Sequence, residues 1–195
     1  MKNINDFELT EKVTVGAVRK WMTDKDDNSK ANLISLIHHR FINRYVKHLN
    51  KTDSGFLKMA ISCLMIETLE SFKQGEKDTK RISQKMFVDF FKTEEKHFPD
   101  FKDIAIDFYK SIRCGILHQA ETTNAWRILG INALLDKTNK TVNATKFVKA
   151  LEKSLDNYIE TLKTEDFAST IWKRALLKIE DVCENCNANP KKKTL

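Results

Sequence analysis

Hydrophobic positions recur along this chain mainly at helical spacing. Ile34, Ile37, Phe41 and Tyr45 mark one face of a helix predicted over about 30–49. The polar run Asp24–Ser29 before it reads as a loop ending in a helix cap, and Asn50–Gly55 after it reads as a turn. The next stripe is Leu57, Ile61, Leu64, Met65, Leu69 and Phe72, closed by Gly75, which suits a left-handed C-cap. Its apolar arc is broad, which places this helix near the centre of a bundle. Met86, Phe87, Phe90 and Phe91 predict a shorter amphipathic helix over 83–94. Phe98-Pro99-Asp100 restarts the chain, with Pro99 suited to a first helical turn. Ile104, Ala105, Phe108 and Ile112 then form a stripe leading directly into Arg113.

The helical period breaks over 121–143. Trp126–Leu129, Ala133–Leu135 and Thr141–Val142, set around the turn-rich Asp136–Lys140, predict a small β-ribbon insertion near residues 126–142. Helical spacing returns with Phe147, Leu151, Leu155, Tyr158, Ile159 and Leu162, capped by Asn143. A last helix carries Ile171, Ala175, Leu176, Ile179 and Val182. Residues 1–27 read as a polar, irregular N-terminal segment with a short helix around Val13–Trp21, and residues 187–195 as a disordered basic tail. With no internal repeat or linker between them, residues 28–186 read as one all-α domain, a bundle of about five to seven helices.

Composition sharpens this picture at a few points. The 195 residues contain only 5 Gly and 2 Pro, too few breakers for a many-turned β-sandwich. The apolar stretch around Leu57–Leu69 is interrupted by Lys58, Ser62 and Glu67, so no membrane span is expected. The first residues, Met1–Glu8, lack the apolar run of a signal peptide, which makes a cytoplasmic location the expectation. The four cysteines are then expected to be reduced thiols. The net charge of +7 fits a polyanionic partner, but Lys191, Lys192 and Lys193 supply three of those charges and a solvated basic surface explains it as simply.

Several constellations offer chemistry. Arg113 and His118 lie five apart, about 140° from each other on an ideal helix, with Gly115 between them to permit a bend or an early helix end. Arginine offers a permanent planar donor fork for phosphate, and histidine moves protons near neutral pH. Together they are sufficient for phosphodiester cleavage without a metal: the histidine works on the 2′-hydroxyl or the leaving oxygen, and the arginine on the phosphoryl charge. Glu67 stands on the most apolar helix, where an unpaired carboxylate is costly. It either pairs with a cation such as Arg113 or emerges at the bundle's edge beside Thr68 and Glu70, the simpler expectation. Cys183 and Cys186 form a lone CxxC with no further ligand pair and read as helix-end thiols. His38 and His39 are adjacent and point about 100° apart, so they cannot chelate one metal together. Trp126 and Arg127 suit packing, base stacking or a dimer contact. There is no phosphate-binding Gly-rich loop, carboxylate cluster or serine-nucleophile motif, so no cofactor or metal is expected.

The segment from Phe108 and Tyr109 through Arg113, Cys114, Gly115, Ile116, Leu117 and His118 to Gln119, Ala120 and Glu121 resembles the signature of HEPN-domain proteins. That signature is an arginine and a histidine separated by four to six residues on a late helix of a compact α-helical bundle. The resemblance spans roughly residues 28–185, its specific part being Arg113 to His118. It implies a HEPN-like fold and a metal-independent endoribonuclease of the kind found in toxin–antitoxin and phage-defence systems. Arg113 and His118 would be the catalytic pair, RNA the substrate, a homodimer the working form and a cognate antitoxin a partner. Two facing copies can divide the acid and base roles that one histidine cannot fill at once. Where the family often has a polar residue, frequently asparagine, directly after the arginine, this chain has Cys114. Cys114, Gln119, Glu121 and Glu67 are the candidates for supporting roles. The alternative is a non-catalytic helical module that binds nucleotide, RNA or a protein partner.

Overall fold

The computed structural model describes residues 3–186. After a single 3-10 turn (Ile4–Asp6), β1 (Glu8–Thr10) and β2 (Val13–Thr14) form an antiparallel pair that leads into α1 (Val15–Asp24). α2 (Asp27–Phe41) continues through a π-helical segment (Ile42–Val46) into the short α3 (Lys47–Leu49). α4 (Gly55–Gln74) and α5 (Ser83–Thr93) follow. α6 (Phe101–Phe108) passes through a second π-helical segment (Tyr109–Arg113) into α7 (Cys114–Gln119). β3 (Arg127–Leu129), β4 (Leu135–Asp136) and β5 (Thr141–Asn143) make the insertion, and α8 (Ala144–Thr164) and α9 (Thr170–Glu184) close the chain. The architecture is mainly all-α with a small β insertion, as the hydrophobic pattern predicts.

Local chemistry sets most helix ends. Thr14, Asp26, Ser54 and Asn143 each accept a hydrogen bond from the amide three residues on, the usual N-cap arrangement. Gly75 closes α4 at φ 75°, a left-handed position that favours glycine. Pro99 precedes α6 by two residues and lies outside its first turn, α6 being entered from Asp100 at φ 69°. The predicted ribbon is a three-stranded sheet of order β3-β5-β4 in which β3 runs parallel to β5. Alternation marks strands but says nothing of direction, so a parallel pair is invisible to it.

α4 is central, packing against α5, α8, α9 and the chain around Arg113. Beside it lies an aromatic cluster of Phe87, Phe90, Phe91, Phe98, Phe101, Phe108 and Phe147, all fully buried. The ring of Phe91 lies within 6.4 Å of the centroids of the other six. Phe108 and Phe147 stack nearly parallel at 5.4 Å, which locks α6 against α8. Trp172 is buried between α8 and α9 and donates its indole N–H to the Leu162 carbonyl at 2.9 Å.

The N-terminal segment differs from the irregular stretch expected over 1–27. Leu9, Val15 and Val18 are buried and belong to the core, with α1 packed on α2 and α9. The short helix expected around Val13–Trp21 is present as α1, two to three residues later in the chain, and only the neighbouring helices reveal that its apolar side is covered. The basic tail expected over 187–195 lies outside the described residues. No helix among the described residues is long and apolar enough to cross a membrane.

Candidate functional site

Arg113 is the last residue of the second π-helical segment, and His118 lies in α7 immediately after it. A π turn leaves backbone groups free of the regular ladder. Here the Ser111 carbonyl accepts from the Thr123 amide at 2.9 Å, and the Ser111 hydroxyl lies 3.0 Å from Asn124 Nδ2. Asp107 ties the same loop down, accepting from the Ser111 hydroxyl at 2.7 Å and from Trp126 Nε1 at 2.9 Å. Burial raises the pKa of Asp107, but those two hydrogen bonds outweigh it and hold the carboxyl below its usual range. Trp126 is thereby a buried packing residue, unavailable for base stacking.

Gly115 neither bends nor ends the helix, since α7 runs through it. Its role is close approach. A Cβ there would lie 2.6 Å from the Glu121 carbonyl oxygen, in a loop that the Ser111 and Asp107 contacts tie down from Thr123 onward. Gly115→Ala is expected to destabilise the protein by about 1–3 kcal/mol through overpacking. Urea denaturation checks this, and an unchanged midpoint would mean that the 121–123 backbone shifts freely.

The Arg113 guanidinium donates to Glu67 Oε2 at 3.2 Å, lies 5.3 Å from the Tyr109 ring centroid and is 4.0 Å from the Cys114 sulfur. Glu67 is therefore paired, not exposed at the bundle's edge, and its neighbour Glu70 is itself buried. The Glu67 carboxylate also accepts from the Thr79 hydroxyl at 2.5 Å and the Ser83 hydroxyl at 2.8 Å, which fixes it from the start of α5. The two side chains are 20% and 16% exposed, so their attraction is only partly screened. Burial alone lowers the Arg113 pKa, but Glu67 and Tyr109 outweigh it and hold the charge firmly. Among the described residues two of the five guanidinium N–H donors are engaged.

Arg113, Glu67 and Thr79 line a cleft of about 700 Å³ together with Lys77, Lys178 and the apolar Leu64 and Leu117. His118 does not line it. The imidazole is exposed and has no hydrogen-bond partner among the described residues. Gln119 and Glu121 are exposed too, and neither is bonded to His118; Glu121 accepts from the Thr122 amide instead. The structure thus brings Arg113, Cys114 and Glu67 together and leaves His118, Gln119 and Glu121 at the surface one turn away. Next to His118 in the chain, Leu117 is 60% exposed, and Leu64 of α4, which shares the cleft with it, is 44% exposed.

The sequence reading missed Thr79, Ser83, Lys77 and Lys178. An isolated carboxylate on an apolar helix signals that partners exist, but nothing in the spacing identifies hydroxyls beyond the Gly75 turn.

Elsewhere the described residues hold no group of three or more metal-ligating side chains. Cys63 and Cys183 are buried free thiols, and burial is the first cause raising both; Cys183 is pushed up to about 11. Neither is a thiolate nucleophile near neutral pH. His38 and His39 line separate clefts, and His39 Nδ1 is buried without a partner. Comparison with known protein families, with curated proteins and with solved structures finds no match to this chain.

Proposed function

We propose that this protein is a HEPN-like, metal-independent endoribonuclease that completes its site by pairing two copies. The observation that carries the proposal is the division of labour along one short stretch of chain. Arg113 is oriented in a cleft by Glu67, while His118, five residues on, is exposed and without a hydrogen-bond partner among the described residues. The exposed Leu64 and Leu117, walls of the same cleft, supply apolar surface of the kind a second copy covers, Leu117 being next to His118 in the chain. In the paired form one neutral His118 takes the proton of the 2′-hydroxyl, whose oxygen attacks the adjacent phosphorus. The partner's His118, protonated, gives its proton to the departing 5′-oxygen, and Arg113 stabilises the charge on the non-bridging oxygens. The products are a 2′,3′-cyclic phosphate end and a 5′-hydroxyl end. Such an enzyme fits a toxin–antitoxin or phage-defence setting in the cytoplasm, with a cognate antitoxin as its restraint.

Incubation with single-stranded RNA and with DNA of the same sequence, in EDTA, tests this. Cleavage of RNA alone is expected, with cyclic phosphate ends, because the 2′-hydroxyl is the nucleophile. Two features favour a second reading, a non-catalytic module that binds nucleotide, RNA or a protein partner: Arg113 is already paired with a fixed carboxylate, and His118 stands outside the cleft. On that reading no RNA is ever turned over, while Arg113→Ala weakens binding.

A further inference from the structure

A second cavity, of about 520 Å³, adjoins the Arg113 cleft, and Thr68, Lys77 and Lys178 form walls of both. The two meet at those walls, where α4, α9 and the turn after Gly75 come together and Lys178 Nζ donates to the Lys77 carbonyl at 2.6 Å, and are together called the trough. At its far end stand Arg40, in the last turn of α2, and Arg44, in the π-helical segment that follows. The charges along this trough are unequal in their partners. Arg113 is paired with Glu67, Lys77 with Glu184 and Lys178 with Asp181. Glu8, which lines the second cavity, is exposed. Arg40 and Arg44 have no carboxylate within 4.0 Å among the described residues. Arg44 donates to the Leu9 carbonyl, and Arg40 donates to no group among the described residues.

That arrangement is costly in isolation. Arg40 is half-buried, four residues from a like charge, and burial followed by repulsion from Arg44 lowers its pKa. Arg40, half-buried, and Arg44, exposed, face one cavity with no ion-pair partner among the described residues, its acids being the exposed Glu8 and an Asp181 already paired with Lys178. Two such guanidinium forks match a phosphate, which accepts bidentate hydrogen bonds from them. Both cationic ends of the trough also coincide with π-helical segments, Ile42–Val46 and Tyr109–Arg113, where the helix is distorted at an energetic cost.

We propose that the trough carries a single-stranded RNA backbone past the Arg113 cleft, and that Arg40 and Arg44 grip a phosphate of the bound strand away from the scissile bond. The proposal rests on RNA being the substrate, and its test separates binding from cutting. Binding of a labelled oligouridylate is measured by anisotropy in the His118→Ala protein across a salt series.

Arg40→Gln with Arg44→Gln is expected to weaken binding about tenfold and to flatten the log–log salt slope by about 1.4, the value for two phosphate contacts on a single strand. Lys149→Gln with Lys153→Gln removes the same charge from an exposed stretch of α8 lining neither cavity and is expected to change affinity less than about twofold. Equal losses in the two pairs, or no loss in the first, overturn the proposal. So does failure of the parent protein to bind RNA, or equal, equally Arg40-dependent binding of duplex DNA. If the arginine pair fails to fold by thermal melt, Arg44→Gln alone is read, with about a threefold loss and a slope change of about 0.7 expected; no change overturns the proposal. RNA that is bound through Arg40 and Arg44 but never cut by the parent leaves this inference standing and removes the nuclease reading instead.

Discussion

Alanine at position 118 is expected to slow RNA cleavage by a factor of about 10²–10⁴, the usual contribution of a positioned proton-transfer group. The expectation is a clean test because of where His118 stands. Its side chain is exposed and bonds to nothing among the described residues, so its removal should change stability by no more than about 0.5 kcal/mol. A rate loss then reports on chemistry alone, read as initial rates on a labelled RNA in EDTA with a thermal melt alongside. Cleavage at the parent rate would sink the catalytic assignment. Arg113→Ala is a poorer probe, since it strands a carboxylate that is only 16% exposed and is held by two hydroxyls. Its loss of activity would mix lost catalysis with a disturbed cleft. Mixing inactive His118→Ala chains with parent chains adds a further reading: a site shared between copies loses activity faster than the parent fraction falls.

The largest effect on stability is expected at Phe91. Truncation to alanine should remove about 3–5 kcal/mol, because the ring is fully buried and touches six other phenylalanines. The surrounding rings come from α5, α6, α8 and the loop before α6, so no single shift closes the void. Equilibrium urea unfolding measures the loss; a value below about 1.5 kcal/mol would mean that the cluster collapses into the space. Phe91→Leu, which keeps much of the volume, should recover at least half of the difference.

The helices were legible because each carries a stripe that the bundle buries. Phe41, Leu69, Phe72, Phe108 and Leu162 all lie where the spacing puts them. The caps at Asn143 and Gly75 were legible too, being set by residues adjacent in sequence. Three things were not. The parallel pairing of β3 with β5 depends on the path of the chain between them and leaves no local mark. The role of Gly115 depends on a loop that returns against it, so the residue alone suggested a bend. Glu67 could be recognised as anomalous on an apolar face, but the choice between edge and ion pair belongs to the packing of α4 against α5 and the Arg113 helix. The Arg113–His118 spacing was legible as a pattern, yet the pattern did not show that one residue faces a cleft and the other faces out.

The π-helical turn at Tyr109–Arg113 has a consequence for how this stretch tolerates change in length. A π turn takes about one residue more than an α turn for nearly the same rotation, so loss of one residue within Tyr109–Arg113 can be absorbed as a regular α-helical turn. Phe108 on one side and Gly115 on the other would then keep close to their present phase, against the aromatic cluster and the Glu121 carbonyl. Loss of a residue from the regular winding of α7 has no such reserve and would rotate everything downstream by about 100°. This turn should therefore accept a one-residue deletion more readily than the α-helical turns on either side of it.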